Sequence, residues 1–263
     1  MSQVDKLTQR VESALTCANN GRTKLTEKQL IELKGLSSKK IRILLNELVK
    51  EDTQYLEVGT FTGSTFVNAL YGNNPKSAVV IDSFSAYDSW EMDMKVDVRY
   101  HGAKVKNGLM LMFLENCKRN GIKDFTCIQS DCFNLLFPDK FEFKEVDTYL
   151  FDAGHSKEDH TKAITYYVNA LDDVFIYIVD DWNTEAVREG TRLGFESAFV
   201  KVHKEWEMFG NKQTIDGNIH YDPDWWNGYY VAVCEKPFGF VYPEDDIDVK
   251  PLWVTISGTI GEM

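Results

Sequence analysis

Gly59 and Gly63 bracket a five-residue turn, Gly59-Thr60-Phe61-Thr62-Gly63, set between an apolar run and a helical one. Glycine at both ends lets the backbone bend tightly and lets a ligand approach with no Cβ in the way. A helix opening at Ser64 would aim the amide N–H groups of its first turn at the same space. The spacing is Gly-x-x-x-Gly rather than Gly-x-Gly-x-x-Gly, so a dinucleotide pyrophosphate cradle is not indicated, and a nucleoside is the ligand to consider. Asp82 ends the next apolar run, where a carboxylate can accept hydrogen bonds from both ribose hydroxyls. Asp131 follows the run Phe125–Gln129 and can meet an adenine amino group. The alternative for both acids is a helix cap or a solvated turn.

These residues need elements to hold them. From Gln54 onward, apolar runs alternate with helical segments: Tyr55–Val58, a helix from Ser64 to about Tyr71, Ala78–Ile81, Phe125–Gln129, Asp147–Phe151, a helix after Ser156, and Phe175–Val179. That alternation implies βαβ units and a parallel sheet. Each run ends in a polar or acidic residue, and open α/β sheets bind ligands outside the carboxyl ends of their strands. A helix from Thr184 to about Leu193 follows, and then two β-prone runs, Val200–Trp206 and Tyr229–Cys234, form an expected antiparallel hairpin at one sheet edge. The first ~50 residues read as helices. Thr26 is a candidate cap with Gln29 three positions on, and Ser37 or Ser38 can cap Ile41–Val49.

Tyr55-Leu56-Glu57-Val58-Gly59-Thr60-Phe61-Thr62-Gly63-Ser64 resembles motif I of the class I S-adenosylmethionine-dependent methyltransferases. Val79–Phe84 is similar to the ribose-binding second strand of that family. Phe151-Asp152-Ala153-Gly154-His155-Ser156 with Val179-Asp180-Asp181-Trp182 resembles its metal-dependent sugar and macrolide O-methyltransferase subgroup, with Ala153 standing where many relatives carry glycine. The resemblance covers roughly residues 50 to 235. It implies an α/β fold with a Rossmann-like, seven-stranded, mostly parallel sheet, an antiparallel C-terminal hairpin and helices on both faces. It further implies that Glu57, Gly59, Thr60, Gly63, Ser64, Asp82 and Asp131 hold S-adenosylmethionine, that Asp152, Asp180 and Asp181 bind a divalent cation, and that His155 is the base.

The residues also speak for themselves at the acid cluster. Asp152 and Asp180 lie 28 positions apart, the length of one βαβ step. On neighbouring strands they would sit ~4.8 Å apart at one end of the sheet. Acids so placed repel unless one is protonated or a cation neutralises them. An all-oxygen site favours hard ions, magnesium first, with manganese or calcium as alternatives. The alternative is that Asp180 and Asp181 cap the following helix. A cation there would hold an acceptor hydroxyl and lower its pKa, and an imidazole at His155 could take the proton. Otherwise His155 is a turn residue beside a Ser156–Asp159 capping pair, and His160 is structural. Among the aromatics, Trp182 is a candidate pocket wall; Phe84, Tyr87, Trp90, Tyr100, Trp225 and Trp226 read as packing.

Composition bounds the rest. Forty-one acidic against 29 basic residues give a net charge of -12, which argues against a nucleic-acid partner and for small-molecule chemistry. The resemblance and the three acids imply a hydroxyl acceptor such as a sugar or diol. The five cysteines are odd in number and scattered, so neither a disulfide framework nor a zinc site is expected. Without a signal-peptide pattern or a membrane span, a cytoplasmic protein with no membrane partner is expected. The expected organisation is a helical segment over 1–50, beside the domain entrance or in a homo-oligomer contact, a methyltransferase core over 51–237 and a tail over 238–263. The competing functional class is a non-catalytic S-adenosylmethionine-binding regulatory or assembly protein.

Overall fold

The computed structural model describes residues 1–33, 35–85, 108–135, 145–211, 213–215, 218–220, 222–237 and 252–256. Five strands, β1 (Gln54–Val58), β2 (Ser77–Asp82), β3 (Phe125–Gln129), β4 (Val146–Phe151) and β5 (Leu171–Asp180), run parallel. The expected hairpin forms from β6 (Lys201–Met208) and β9 (Tyr229–Glu235), with β9 antiparallel to both β5 and β6. Between them β7 (Gln213–Ile215) and β8 (Asn218–His220) make a small separate ribbon. The seven-stranded, Rossmann-like architecture expected from the sequence is therefore present, and an eighth strand adds to it. β10 (Leu252–Ile256), in the segment expected to be a surface tail, pairs antiparallel with β3 and gives the order β10-β3-β2-β1-β4-β5-β9-β6.

Alternate residues of each strand point to opposite faces, and each face buries its own set. Tyr55, Val80, Leu150 and Ile178 face α1 (Gln3–Asn19), α2 (Lys39–Leu48), α3 (Ser64–Leu70) and α4 (Gly108–Arg119). Leu56, Ile81, Tyr149 and Val179 face α5 (Lys157–Thr165) and α6 (Glu185–Ser197). Helix α1 starts in a capping box between Ser2 and Asp5 and buries Leu7, Val11, Ala14 and Ala18, a stripe at helical spacing. Ser38, not Ser37, caps α2 by accepting from the Ile41 amide at 3.2 Å. Thr26 and Gln29 do meet, but only a single π-type turn, Lys28–Glu32, forms there. The apolar faces of α1 and α2 are thus covered by the chain's own core. No helix among the described residues is long and apolar enough to cross a membrane.

The strand order reverses between β1 and β4, which creates a crevice outside their carboxyl ends. There the two strands approach closely. Gly59 has φ +84°, and a Cβ on it would lie 1.9 Å from the Asp152 carbonyl oxygen. Gly59→Ala should therefore destabilise the fold by about 3 kcal/mol in chemical denaturation, since strain and a backbone clash combine. Gly21→Ala, at φ +64° with nothing within 4 Å, should cost about 1 kcal/mol. Equal losses at the two positions would contradict this account of the crevice.

Candidate functional site

The loop after β1 is held from three sides. The Gly59 amide donates to the Ile81 carbonyl at 2.8 Å, and the Asp152 amide donates to the Val58 carbonyl at 2.8 Å, so β1 stays paired to both neighbours up to the turn. Gly63, also at φ +84°, closes the turn by donating to the Thr60 carbonyl at 2.7 Å, and a Cβ there would meet the Phe113 ring at 2.6 Å. Asp82 holds the middle: one carboxylate oxygen accepts from the Thr60 and Phe61 amides at 2.7 and 2.9 Å, the other from the Phe84 amide at 2.6 Å. Asp82 thus organises the turn. Asp131 is exposed and accepts from the Phe133 amide at 2.9 Å, closing its own turn.

Glu57 lies beneath the loop, fully buried. It accepts from the Tyr55 hydroxyl at 2.6 Å and the Thr65 hydroxyl at 2.7 Å, tying β1 to α3. Burial outweighs these bonds and pushes its pKa up to about 7. Ser64 is buried at the start of α3 with its hydroxyl 3.1 Å from that of Ser37. Ser37 in turn accepts from Nε of Arg42, a buried guanidinium that also donates to the Gln29 carbonyl. Burial lowers the Arg42 pKa to about 10. The segment before α2 thus crosses the loop. Gly35 is seated so closely that a Cβ on it would fall 2.2 Å from Ser64 Oγ. Sequence reasoning missed this strap, because the signal is one glycine and two serines with no periodicity.

On the other side of the crevice the expected acids converge. Asp152 and Asp180, at the ends of adjacent strands, hydrogen-bond to each other, and burial drives both pKa values up, with the neighbouring acids adding to the effect. Two carboxyls in contact repel unless one holds a proton or a cation neutralises them. Asp181, at φ +56°, turns outward. Its Oδ2 lies 2.9 Å from His155 Nε2, and its Oδ1 accepts from the Asn227 amide at 2.7 Å. The bond to Asp181 is the largest influence on His155 and raises its pKa above 6.5 against the opposing effect of burial. Asn227 was not singled out in the sequence, where the Asn227-Gly228 pair reads only as a turn. Among the described residues no group of three or more His, Cys, Asp or Glu side chains is arranged to hold a metal ion. Asp152, Asp180 and Asp181 come together as expected, with Asp181 held by His155 and Asn227, and no cation is assigned to them.

Two further expectations resolve plainly. His160 is structural: it is buried against Phe151, and burial lowers its pKa to about 4. Trp182 is not a pocket wall. It is fully buried, stacked on Tyr230 at 4.0 Å, with its indole N–H donating to Glu207 at 3.1 Å, because the β5–β9 pairing turns it into the core. Tyr87, Trp90 and Tyr100 lie outside the described residues.

No family model and no curated protein matches the sequence. Among solved structures, the chain is similar to M. jannaschii TYW2 in complex with AdoMet (TM-score 0.47, 15% identity, covering 83% of this chain and 80% of that one). It is also similar to M. capricolum TrmK in complex with S-adenosyl-homocysteine (TM-score 0.44, 14% identity, 74% and 67%). A third is the B. subtilis M1A22 tRNA methyltransferase TrmK (TM-score 0.44, 13% identity, 78% and 68%). Likeness at this level carries no argument about this chain's substrate. The expectation of no nucleic-acid partner is withdrawn, as the similar structures include tRNA methyltransferases. The error was to read a net charge of -12 as if it described every patch of the surface.

The Glu57 environment has a pH signature. Its folded pKa stands above the ordinary 4.5, so the folded state holds the proton more tightly than the unfolded chain does. Its stabilising contribution is complete below about 4.5 and is lost as pH rises through about 7. Glu57→Gln should therefore gain on the wild type between pH 5 and 8, by on the order of 3 kcal/mol in paired denaturation curves. A pH-independent difference would refute it.

Proposed function

We propose that this protein is an S-adenosylmethionine-dependent methyltransferase acting on an acceptor hydroxyl. The observation that carries the reading is the His155–Asp181 pair, 2.9 Å apart, at the carboxyl edge of the sheet and across the switch-point crevice from the Gly59–Gly63 loop. S-adenosylmethionine supplies an electrophilic methyl group on a sulfonium sulfur. The chain's own residues supply the proton chemistry and the positioning. With Nε2 held by Asp181, Nδ1 of His155 is the nitrogen left to accept a proton from the attacking hydroxyl. Asp181 fixes the ring and stabilises the imidazolium that forms, while Asn227 fixes Asp181. Gly59 and Gly63 let the turn pack against Asp152 and Phe113, which holds the loop tight at the edge of the crevice where the cofactor would lie. The resemblance of Phe151–Ser156 and Val179–Trp182 to the sugar and macrolide O-methyltransferases favours a hydroxyl acceptor. No step is assigned to a cation.

The test is release of S-adenosylhomocysteine from S-adenosylmethionine over a panel of sugars, catechols and transfer RNA, with and without a chelator. Turnover on a hydroxyl acceptor should persist with the chelator and rise with pH through a midpoint above 6.5, where His155 loses its proton. His155→Ala should lower the rate by about 10²-fold or more. Cofactor binding with no turnover on any acceptor would favour the non-catalytic regulatory class instead. Methylation of transfer RNA alone would overturn the small-molecule hydroxyl.

A further inference from the structure

Beyond the acids, the carboxyl edge of the sheet carries an open cavity of about 640 Å³ at the ends of β5 and β6. Its walls include Asn183, Thr184, Arg188, Phe209, Gly210 and Asn227. Among the described residues Arg188 is the one charged side chain that lines it, in a protein whose net charge is -12. Acidic residues outnumber basic ones in the sequence, so a wall whose described residues hold a cation and no carboxylate favours an anionic guest.

The wall is built rather than incidental. Asn183 donates its amide to the Gly210 carbonyl at 2.6 Å and accepts from the Gly210 amide at 3.1 Å, locking the end of β5 to the end of β6. Arg188 donates Nη1 to the Trp182 carbonyl at 2.7 Å, which anchors the guanidinium. No carboxylate pairs with it among the described residues. The guanidinium lies 5.7 Å from the centre of the Phe209 ring. Phe209 is 55% exposed, a large apolar ring held in water among polar neighbours. Asn227 belongs to this wall and also donates to Asp181, which links the cavity wall to the His155–Asp181 pair by one hydrogen bond.

We propose that this cavity anchors the acceptor, and that the acceptor carries a planar ring bearing a carboxylate or phosphate group. The anion meets the Arg188 guanidinium, whose fork of N–H donors suits either group. The ring lies against Phe209. A hydroxyl on the far side of such a molecule passes Asn227 and arrives at His155. That the guest is a methyl acceptor rests on the proposed function; that the cavity selects ring anions does not.

The experiment is calorimetric titration of the full chain, without cofactor, with two matched pairs of probes. These are 3,4-dihydroxybenzoate against catechol, and adenosine 5′-phosphate against adenosine. The anionic member of at least one pair should bind ten-fold or more tighter than its neutral partner. The pair that shows the preference distinguishes a carboxylate source from a phosphate source. Arg188→Gln should abolish the preference, Arg188→Lys should keep part of it, and Phe209→Ala, at an exposed position, should weaken both members of the preferred pair several-fold. Equal binding of charged and neutral probes would overturn the inference. So would a preference that survives Arg188→Gln in a protein shown to be folded by circular dichroism. A separate titration with S-adenosylmethionine keeps the two readings apart. If the cofactor fails to bind while the anion preference stands, the methyltransferase falls and the cavity's ligand class survives. Cofactor binding with no anion preference sinks only the present inference.

Discussion

The approach of β1 to β4 at the point where the strand order reverses is the constraint on which the site depends. A side chain at position 59 would occupy the space of the Asp152 carbonyl, so only glycine lets both strands run to their ends side by side. Because they do, the chain leaving β1 must turn one way, over the start of α3, and the chain leaving β4 the other, toward β5. The loop and the acid cluster are the two lips of the crevice that results. The amide bonds that continue the pairing past both strand ends keep those lips in register.

The crevice concentrates carboxyl groups, and the chain settles each by a different device. Asp82 is filled by three loop amides, Glu57 by two hydroxyls, Asp152 and Asp180 by each other, and Asp181 by an imidazole and an amide. Burial still raises Glu57, Asp152 and Asp180, which makes the dry floor of the site neutral more readily than an exposed acid would be. Charge is therefore left at the rim, where Asp181 backs His155. That division suits a reaction in which a cationic methyl donor and a proton-accepting base share a small volume. Farther along the same edge the sign reverses, and Arg188 faces a cavity with no acid among the described residues of its wall.

The sheet was legible because its central strands are buried on both faces and appear as unbroken apolar runs, such as Phe175–Val179 and Tyr229–Cys234. Their ends were legible because acids follow those runs directly. β10 was not, because its short apolar run sits in an acidic segment and its partner β3 lies more than a hundred residues away in the chain. Trp182 was misread because an aromatic after a strand looks the same whether it faces a pocket or, as here, stacks on Tyr230. The convergence of Asp152, Asp180 and Asp181 was visible from strand-end spacing. Their internal satisfaction by Asn227 and His155 was not, since hydrogen-bond partners far apart in the chain leave no local pattern. Net charge misled about nucleic acid for the same reason: it is a sum, and surfaces bind with their parts.

The central claim is that the Gly59–Gly63 loop cradles S-adenosylmethionine, and calorimetric titration of the purified chain with that cofactor tests it most directly. Saturable binding at one site, weakened at least ten-fold by Asp82→Ala in a protein that still folds, is the predicted result. Absence of binding by the folded wild type would contradict the account, and the loop would then be only the hinge between β1 and α3.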